Sequence, residues 1–308
     1  MNILSYIDAL IIKIESIYFK ILCRVVNVSG NLTGFKSTID PINYILINKP
    51  VARNFSIVIQ GPIGDESLLV LKRLINQYSE IVGIGNLVIS ASFISKKTKN
   101  YLELKNIKHV EVAADPKGPK NILVQSRSIL EGIKLCKTDL VVRTRLDQFV
   151  SDWSFIDTYA ELILDNKVMS GGYTLTNPIF HVGDMFQFGR KSLLKDIWGN
   201  ISNENLVEDI RSQMHVATKD YSYMDAGELY FGLAIAKYFN LEITKLNYLK
   251  LLSDHMIIVS NQDIGMQWAK YNTLSDFKKL NLEKSRDSIG HIKWTGLINN
   301  KIFKNEKN

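Results

Sequence analysis

The chain has 308 residues, of which 46% are hydrophobic and 22% are charged, a composition typical of a globular protein with a sizeable core. Its formal net charge is +7 and its pI is about 9.1, which favours an acidic substrate, a phosphorylated donor or an anionic membrane surface. The sequence contains no nucleic-acid-binding motif, no Walker loop and no cysteine/histidine zinc spacing, so we expect no nucleic-acid partner.

Residues 1–27 carry an amphipathic helical pattern, with apolar residues recurring every three or four positions over residues 1–25. Such a helix can lie in a membrane interface, pair with a second copy of the chain, or pack on its own domain. The strict isoleucine seam favours self-association, so we predict a homo-oligomer formed through residues 1–25. Residues 28–54 are rich in Ser, Asn, Gly and Pro, which predicts a linker or an extended arm.

Charged residues interrupt the N-terminal apolar positions, which is not typical of a secretory signal. No uncharged run of about 18 residues occurs, so we predict no transmembrane helix. Cys23 and Cys136 lie in apolar helical contexts, which favours packed thiols over a disulfide and indicates a reducing compartment. These features predict a cytoplasmic protein, peripheral at the inner face of the membrane if the N-terminal helix binds lipid.

From residue 55 onward, strand patterns alternate with helix patterns. Strands are predicted at 55–60, 87–90, 109–113 and 138–144, and helices at 66–78, 96–105 and 121–136. This alternation predicts a parallel sheet with right-handed crossovers. No GxGxxG follows the first strand, which argues against a dinucleotide-binding unit.

The pattern changes after residue 147. Further elements are predicted as a helix at 153–164, strands at 168–175, 184–188 and 256–259, short helices around Leu193 and Leu206, and a helix at 227–239. Residues 277–308 form a lysine-rich tail that we expect to be solvated.

The segment LVVRTRLD at 140–147 is the most informative stretch of the chain. An apolar run typical of a buried parallel strand ends in two arginines and a carboxylate, at the sheet edge where open α/β folds place ligands. Because strand residues alternate between faces, Arg143, Arg145 and Asp147 are expected on one side. They could hold an anionic ligand, with or without a metal. The alternative is that Arg145 and Asp147 simply pair at the strand end.

Several short segments together carry a family resemblance: SIVIQGPI (56–63), NILVQSRSILEG (121–132), VVRTRLDQ (141–148), PIFHVGDMFQFGR (178–190), AGELYFGLAIAKYF (226–239) and NQDIGMQWAKY (261–271). In this order they resemble the WavE-type lipopolysaccharide-synthesis family of bacterial glycosyltransferases. The resemblance implies an α/β fold over residues 55–276, a GT-A-like, Rossmann-type mixed sheet flanked by helices. It also implies a nucleotide-sugar donor as substrate. It does not extend to the N-terminal helix or to the basic tail.

The donor site implied by this resemblance lies at the strand ends. Its expected residues are Gln60, Gly61, Pro62, Arg127, Arg143, Arg145 and Asp147. Arg127 could reach the diphosphate bidentately or could lie on a solvated helix face. Asp147 resembles the metal-facing aspartate of a DxD motif, which implies Mg²⁺ or Mn²⁺, but position 145 is Arg. Since Arg143 and Arg145 could carry the phosphate charge instead, metal dependence is left open.

Asp184, Glu228 and His181 are the candidates for acceptor chemistry, because inverting glycosyl transfer needs a base near the acceptor hydroxyl. Glu228 stands at a predicted helix start, where the helix dipole keeps a carboxylate ionised. Capping by Asp225 and Glu228, and a buried structural His181, are the alternatives. Residues 262–263 could close the site or form a polar turn.

The sequence thus predicts a glycosyltransferase that moves a sugar from a nucleotide-activated donor to a bacterial surface polysaccharide: lipopolysaccharide, lipooligosaccharide or capsule. The partners it implies are a nucleotide sugar, a glycan or glycolipid acceptor, and an anionic membrane surface. Two alternatives remain: a sugar nucleotidyltransferase on the same kind of sheet, and a non-catalytic scaffold of a membrane polysaccharide-synthesis complex.

Overall fold

A computed structural model of the chain describes residues 51–113, 122–171, 174–218, 226–259 and 264–268. The predictions for the N-terminal helix, most of the linker and the C-terminal tail lie outside the described residues. The same is true of Cys23, Asp225 and residues 262–263.

A mixed seven-stranded sheet forms the centre of the described part of the chain, in the order β3-β2-β1-β4-β7-β6-β8. The strands are β1 (Phe55–Gln60), β2 (Leu87–Ala91), β3 (Lys108–Glu111), β4 (Leu140–Arg145), β5 (Gln148–Val150), β6 (Val168–Gly171), β7 (Phe186–Arg190), β8 (Met256–Val259) and β9 (Met266–Trp268). Within the seven-stranded sheet, β7 runs antiparallel to both of its neighbours and the remaining pairs are parallel. β5 and β9 form a separate antiparallel pair.

Helices cover both faces of the sheet. They are α1 (Leu68–Val82), α2 (Lys96–Leu104), α3 (Ile122–Leu135), α4 (Phe155–Leu164), α5 (Lys191–Ser202), α6 (Glu204–Ala217), α7 (Gly227–Tyr238) and α8 (Lys245–Lys250). Single turns of other helix types occur at Asp65–Ser67, Ile84–Asn86 and Leu251–His255. These elements confirm the predicted fold class, an α/β mixed sheet flanked by helices.

Alternation of side chains along the strands decides what each face buries. On one face, Gly132 of α3 packs so tightly on Val58 and Ser90 that a Cβ there would lie 2.8 Å from either side chain. On the other face, Phe155 of α4 makes edge-on contacts with Phe186 and Phe188 of β7. The buried residues of α1 recur at helical spacing, so they form one apolar stripe along the helix.

Several elements differ from the sequence-based expectation. The helices expected to be short around Leu193 and Leu206 are 12 and 14 residues long. The predicted 168–175 strand ends at Gly171, and the small β5–β9 sheet was not predicted. Three-residue strands that pair over a long sequence separation carry too little periodicity to be recognised.

The connection order creates a switch point between β1 and β4. From β1 the chain builds β2 and β3 outward on one side, and it then returns to place β4 on the other side of β1. In open α/β sheets, ligands bind at such points, beyond the carboxyl ends of the strands. Among the described residues, no helix is both long and apolar enough to cross a membrane.

Candidate functional site

The carboxyl ends of β1 and β4 lie side by side at the switch point. Gln60 is in register with Arg145, and the Leu146 amide donates to the Gln60 carbonyl at 2.9 Å. Gly61 then turns the chain with φ +153°, and a Cβ on it would lie 3.3 Å from that of Leu146. Glycine suits both this backbone conformation and this close approach. The predicted Gln60-Gly61-Pro62 turn and the end of β4 therefore meet at one edge, with Pro62 exposed.

Arg143 is fully buried beneath this edge. Its guanidinium donates to Gln60 Oε1 at 2.8 Å, to Gln187 Oε1 at 3.4 Å and to the Asp184 carbonyl. Its Cζ lies 5.6 Å from the centre of the Trp198 ring, within cation–π range. Arg143 thus ties β1, β7 and α5 together from the inside of the fold.

Burial lowers the pKa of Arg143 to about 9, against the opposing attraction of Asp184. Removing one of the partners of this guanidinium should destabilise the fold strongly, because it leaves a buried charge uncompensated. The three charged residues of 140–147 differ in exposure, since Arg143 is fully buried and the side chains of Arg145 and Asp147 are 30% and 32% exposed. Arg143 therefore supports the strand ends from inside the fold, whereas Arg145 and Asp147 line the candidate site.

Arg145 and Asp147 form a bidentate ion pair at the rim. Nε donates to Oδ1 at 2.8 Å and Nη2 donates to Oδ2 at 2.9 Å. Gln148 fixes the turn between them, because its Oε1 accepts from the Arg145 amide at 3.2 Å. Burial lowers the pKa of Arg145, but Asp147, with the charges of Asp184 and Glu228, outweighs it, and the pKa is raised. The pairing considered as an alternative in the sequence is therefore present.

The donor set at Asp147 does not fit a divalent cation as it stands. Both of its carboxylate oxygens accept from Arg145, so a cation would have to displace the guanidinium. The part of the chain that the structure describes holds no cluster of three or more His, Cys, Asp or Glu residues able to bind a metal. Mg²⁺ is held by carboxylates together with phosphate oxygens and waters. Here the Arg145 guanidinium already pairs with the Asp147 carboxylate.

Asp184 lies where β7, α3 and α7 meet. It is 6% exposed, its Oδ2 accepts from Gln125 Nε2 at 3.4 Å, and a Cβ on Gly227 would come within 2.5 Å of the same oxygen. The carboxylate therefore rests against the first residue of α7, where the partial positive charge of the helix terminus favours an anion. It is also a counter-charge for buried Arg143. These contacts suit a positioning role better than proton transfer.

Glu228 is the more accessible of the two carboxylates. It occupies the first turn of α7 and is half-buried, and its charge reaches Arg145. His181 is only 5% exposed, and its carbonyl accepts from the Leu175 amide and from Tyr248 Oη. This backbone role and the burial match the structural alternative for His181. Asp184, Glu228 and Arg145 are therefore brought together, since both carboxylates act on the Arg145 charge.

Arg127 faces a different set of partners. Its Nη2 donates to Glu204 Oε1 at 2.8 Å, and its Nε donates to the Ser202 carbonyl at 3.4 Å. These bonds join α3 to the junction between α5 and α6. A diphosphate role for Arg127 stays a prediction.

Several residues that surround the candidate site were not predicted from the sequence. Gln187 and Trp198 surround Arg143, Gln125 contacts Asp184, and Gln148 closes the rim turn. Gln187 is the one that the sequence could have indicated, because it lies between two phenylalanines of β7 and a buried polar side chain needs a hydrogen-bond partner. The other three look like ordinary helix or turn residues in the sequence.

No protein-family model and no curated protein sequence matches the chain. Among solved structures, an active-site mutant of LgtC aligns with 57% of this chain and 69% of its own, at 12% identity and a TM-score of 0.38. Mouse xyloside xylosyltransferase 1 aligns with 60% of this chain and 83% of its own, at 10% identity and a TM-score of 0.35.

The synthetase of CMP:2-keto-3-deoxy-manno-octonic acid, complexed with CTP, aligns with 57% of this chain and 87% of its own, at 10% identity and a TM-score of 0.36. The WavE-type resemblance stays a prediction.

Proposed function

We propose that this protein is a glycosyltransferase that moves a sugar from a nucleotide-activated donor to a glycan or glycolipid acceptor. The observation that carries the proposal is the position of Arg145 and Asp147. They are a partly exposed charged pair at the switch point between β1 and β4, the place where an open α/β sheet receives its ligand.

The arrangement suits a nucleoside diphosphate as leaving group. A guanidinium offers paired donors that match phosphate oxygens, and it stabilises the negative charge that develops as the bond to the sugar breaks. Arg143 lies below Arg145 but is fully buried, whereas 30% of the Arg145 side chain is exposed, so we assign the ligand contact to Arg145. The turn at Gly61 and Pro62 borders the same crevice and is our assignment for the base and ribose.

We assign the general base to Glu228. In an inverting transfer the acceptor oxygen bonds to the anomeric carbon, and its proton passes to the Glu228 carboxylate. The bond from that carbon to the diphosphate breaks, and the diphosphate leaves with the electron pair. Asp184 and His181 are too deeply buried to serve equally well, so we assign them to positioning.

The acceptor class and the place of action rest on the family resemblance and on the basic composition. The acceptor that we propose is lipopolysaccharide, lipooligosaccharide or capsule at the cytoplasmic face of the membrane. The net charge of +7 supports contact with anionic lipid headgroups.

Product analysis of a nucleotide-sugar panel tests the proposal. The purified chain is incubated with UDP-, GDP-, CMP- and dTDP-sugars, with and without Mn²⁺, and the products are separated by anion-exchange chromatography. We expect slow release of free nucleoside diphosphate, or of CMP from a CMP-sugar, together with free sugar. Because a donor binds the folded chain and not the unfolded chain, the same donor should raise the melting temperature.

A nucleotidyltransferase gives a different product. Incubated with nucleoside triphosphates and sugar phosphates, it would release pyrophosphate, which would replace our proposal with the alternative on the same kind of sheet. If neither product forms and no nucleotide stabilises the chain, the scaffold alternative stands and the proposal fails.

A further inference from the structure

We infer that the guanidinium of Arg145 takes the place of a divalent cation in the donor site, so that this chain binds a diphosphate without a metal. The inference rests on the proposed function, because it concerns how the same site holds the leaving group. It assigns Asp147 as a positioning residue that holds Arg145, in place of the role of metal ligand that the family resemblance implied.

The geometry of the pair is the first step. Asp147 engages Arg145 through two parallel hydrogen bonds, at 2.8 and 2.9 Å, that fix the plane of the guanidinium. The backbone on both sides of the pair is also fixed, since Gln148 closes the turn and the Leu146 amide bonds to the Gln60 carbonyl. A cation held in this way is preorganised, as a coordinated metal ion would be.

The surrounding charges are the second step. Besides Asp147, the carboxylates of Asp184 and Glu228 act on Arg145, and together they raise its pKa despite burial. A positive charge surrounded by carboxylates at a strand end is the electrostatic arrangement of a metal site, with a covalently attached cation in place of the ion. Arg145 is always charged at physiological pH, so this cation needs no loading.

Exposure is the third step. Arg143 lies on the same strand but has no exposed surface, whereas 30% of the Arg145 side chain is exposed at the crevice. Of the two β4 arginines, Arg145 is therefore the one that a phosphate can approach. A position that would supply a second carboxylate in a DxD motif supplies a cation here.

The test measures diphosphate binding with and without metal. Pyrophosphate is titrated into the full chain by calorimetry in EDTA and again in excess Mn²⁺, with UDP and GDP as further probes. We expect the dissociation constants in the two buffers to agree within about threefold. Arg145→Gln should weaken binding in EDTA by about tenfold or more, because it removes a charge-assisted bidentate contact. Arg211→Gln, the same change in an exposed ion pair on α6, is the matched control and should leave binding unchanged.

Two further variants separate the roles of the pair. Asp147→Asn should weaken binding in EDTA, but less than Arg145→Gln does, since the amide oxygen still accepts one hydrogen bond from Arg145. Asp209→Asn controls for the lost surface charge. Arg145→Asp restores a carboxylate pair two residues apart, and we expect it to bind pyrophosphate only when Mn²⁺ is present. Melting temperatures of all variants establish that each is folded.

The outcomes distinguish the inference from the proposed function. Binding that requires Mn²⁺ and disappears in Asp147→Asn would overturn the inference and leave a metal-dependent transferase. Equal binding by Arg145→Gln and the wild type would also overturn it. If no probe binds in either buffer, the donor site is misplaced and both the inference and the proposed function fail.

Discussion

The carboxylate of Asp184 rests directly against Gly227, so that a single added carbon on Gly227 would lie 2.5 Å from Oδ2. This contact places a buried anion at the first residue of α7, one residue before Glu228. It explains why two carboxylates near each other in space differ in exposure. One is enclosed by packing, and the other stands in the first turn of the helix with its side chain half-buried.

Substitutions of these two carboxylates should separate catalysis from stability. Glu228→Gln should reduce turnover by roughly 10²–10⁴-fold while donor affinity stays near wild type, because it removes only the proton acceptor. Asp184→Asn should lower the free energy of unfolding by about 2–4 kcal/mol, because Arg143 loses its buried counter-charge. Urea unfolding and steady-state kinetics on both variants measure the split. A stable but inactive Asp184→Asn would identify Asp184 as the base instead.

The coupling between Arg143 and Asp184 can be measured by a double-mutant cycle. Arg143→Met alone should be strongly destabilising, by about 3–5 kcal/mol, because it removes the fully buried cation that acts on the buried Asp184 carboxylate. In the double variant Arg143→Met/Asp184→Asn, part of this loss should be recovered, giving a coupling free energy of about 1–3 kcal/mol. Additive effects would show that the Asp184 carboxylate does not stabilise the guanidinium, which is then held by its hydrogen bonds to Gln60, Gln187 and the Asp184 carbonyl.

Two helical glycines offer a matched test of packing. Any Cβ on Gly232 of α7 would collide with the carbonyl of Phe180, whereas nothing lies within 4 Å of a Cβ on Gly199 of α5. Gly232→Ala should therefore destabilise by several kcal/mol or prevent folding, since backbone must move to admit the methyl group. Gly199→Ala should stabilise by about 0.5–1 kcal/mol through helix propensity. Similar effects at both positions would mean that α7 does not pack on the 180–184 segment as described.

The buried thiol of Cys136 should make the free energy of unfolding fall as the pH rises through the alkaline range. Its thiol is buried, with Sγ 3.6 Å from the Gly132 carbonyl, and burial raises its pKa to about 11 from a reference value of 9.0. The unfolded chain therefore loses this proton at lower pH than the folded chain. The stability contributed by the neutral thiol is fully present below about pH 9 and is lost as the pH rises through 11.

The comparison is between wild type and Cys136→Ala in urea at several pH values. The difference in unfolding free energy should fall between pH 9 and 11 by up to about 2.7 kcal/mol, the equivalent of two pKa units. Ionisation of Cys23 is common to both proteins and cancels. A difference that is constant with pH would show that the Cys136 thiolate is as well solvated in the fold as outside it.

The sequence predicted the sheet edge well and its interior poorly. Strand β4 was recognisable because LVVRTR joins a β-branched run to charges, and the edge at Arg145 and Asp147 follows from that pattern. The full burial of Arg143 was not predictable, because it depends on Gln187 and Trp198, which approach from β7 and α5. The burial of Asp184 was not predictable for the same reason. Its nearest packing partner, Gly227, is remote in sequence and contributes no side chain.

We propose that the switch point between β1 and β4 holds the donor diphosphate, and a crystal structure of the chain with a bound nucleoside diphosphate would show whether it does. We expect the diphosphate oxygens to lie within hydrogen-bond distance of the Arg145 guanidinium, with the base near Gly61 and Pro62. A diphosphate bound away from the ends of β1 and β4, or bound there through a metal ion on Asp147 with Arg145 turned aside, would contradict it.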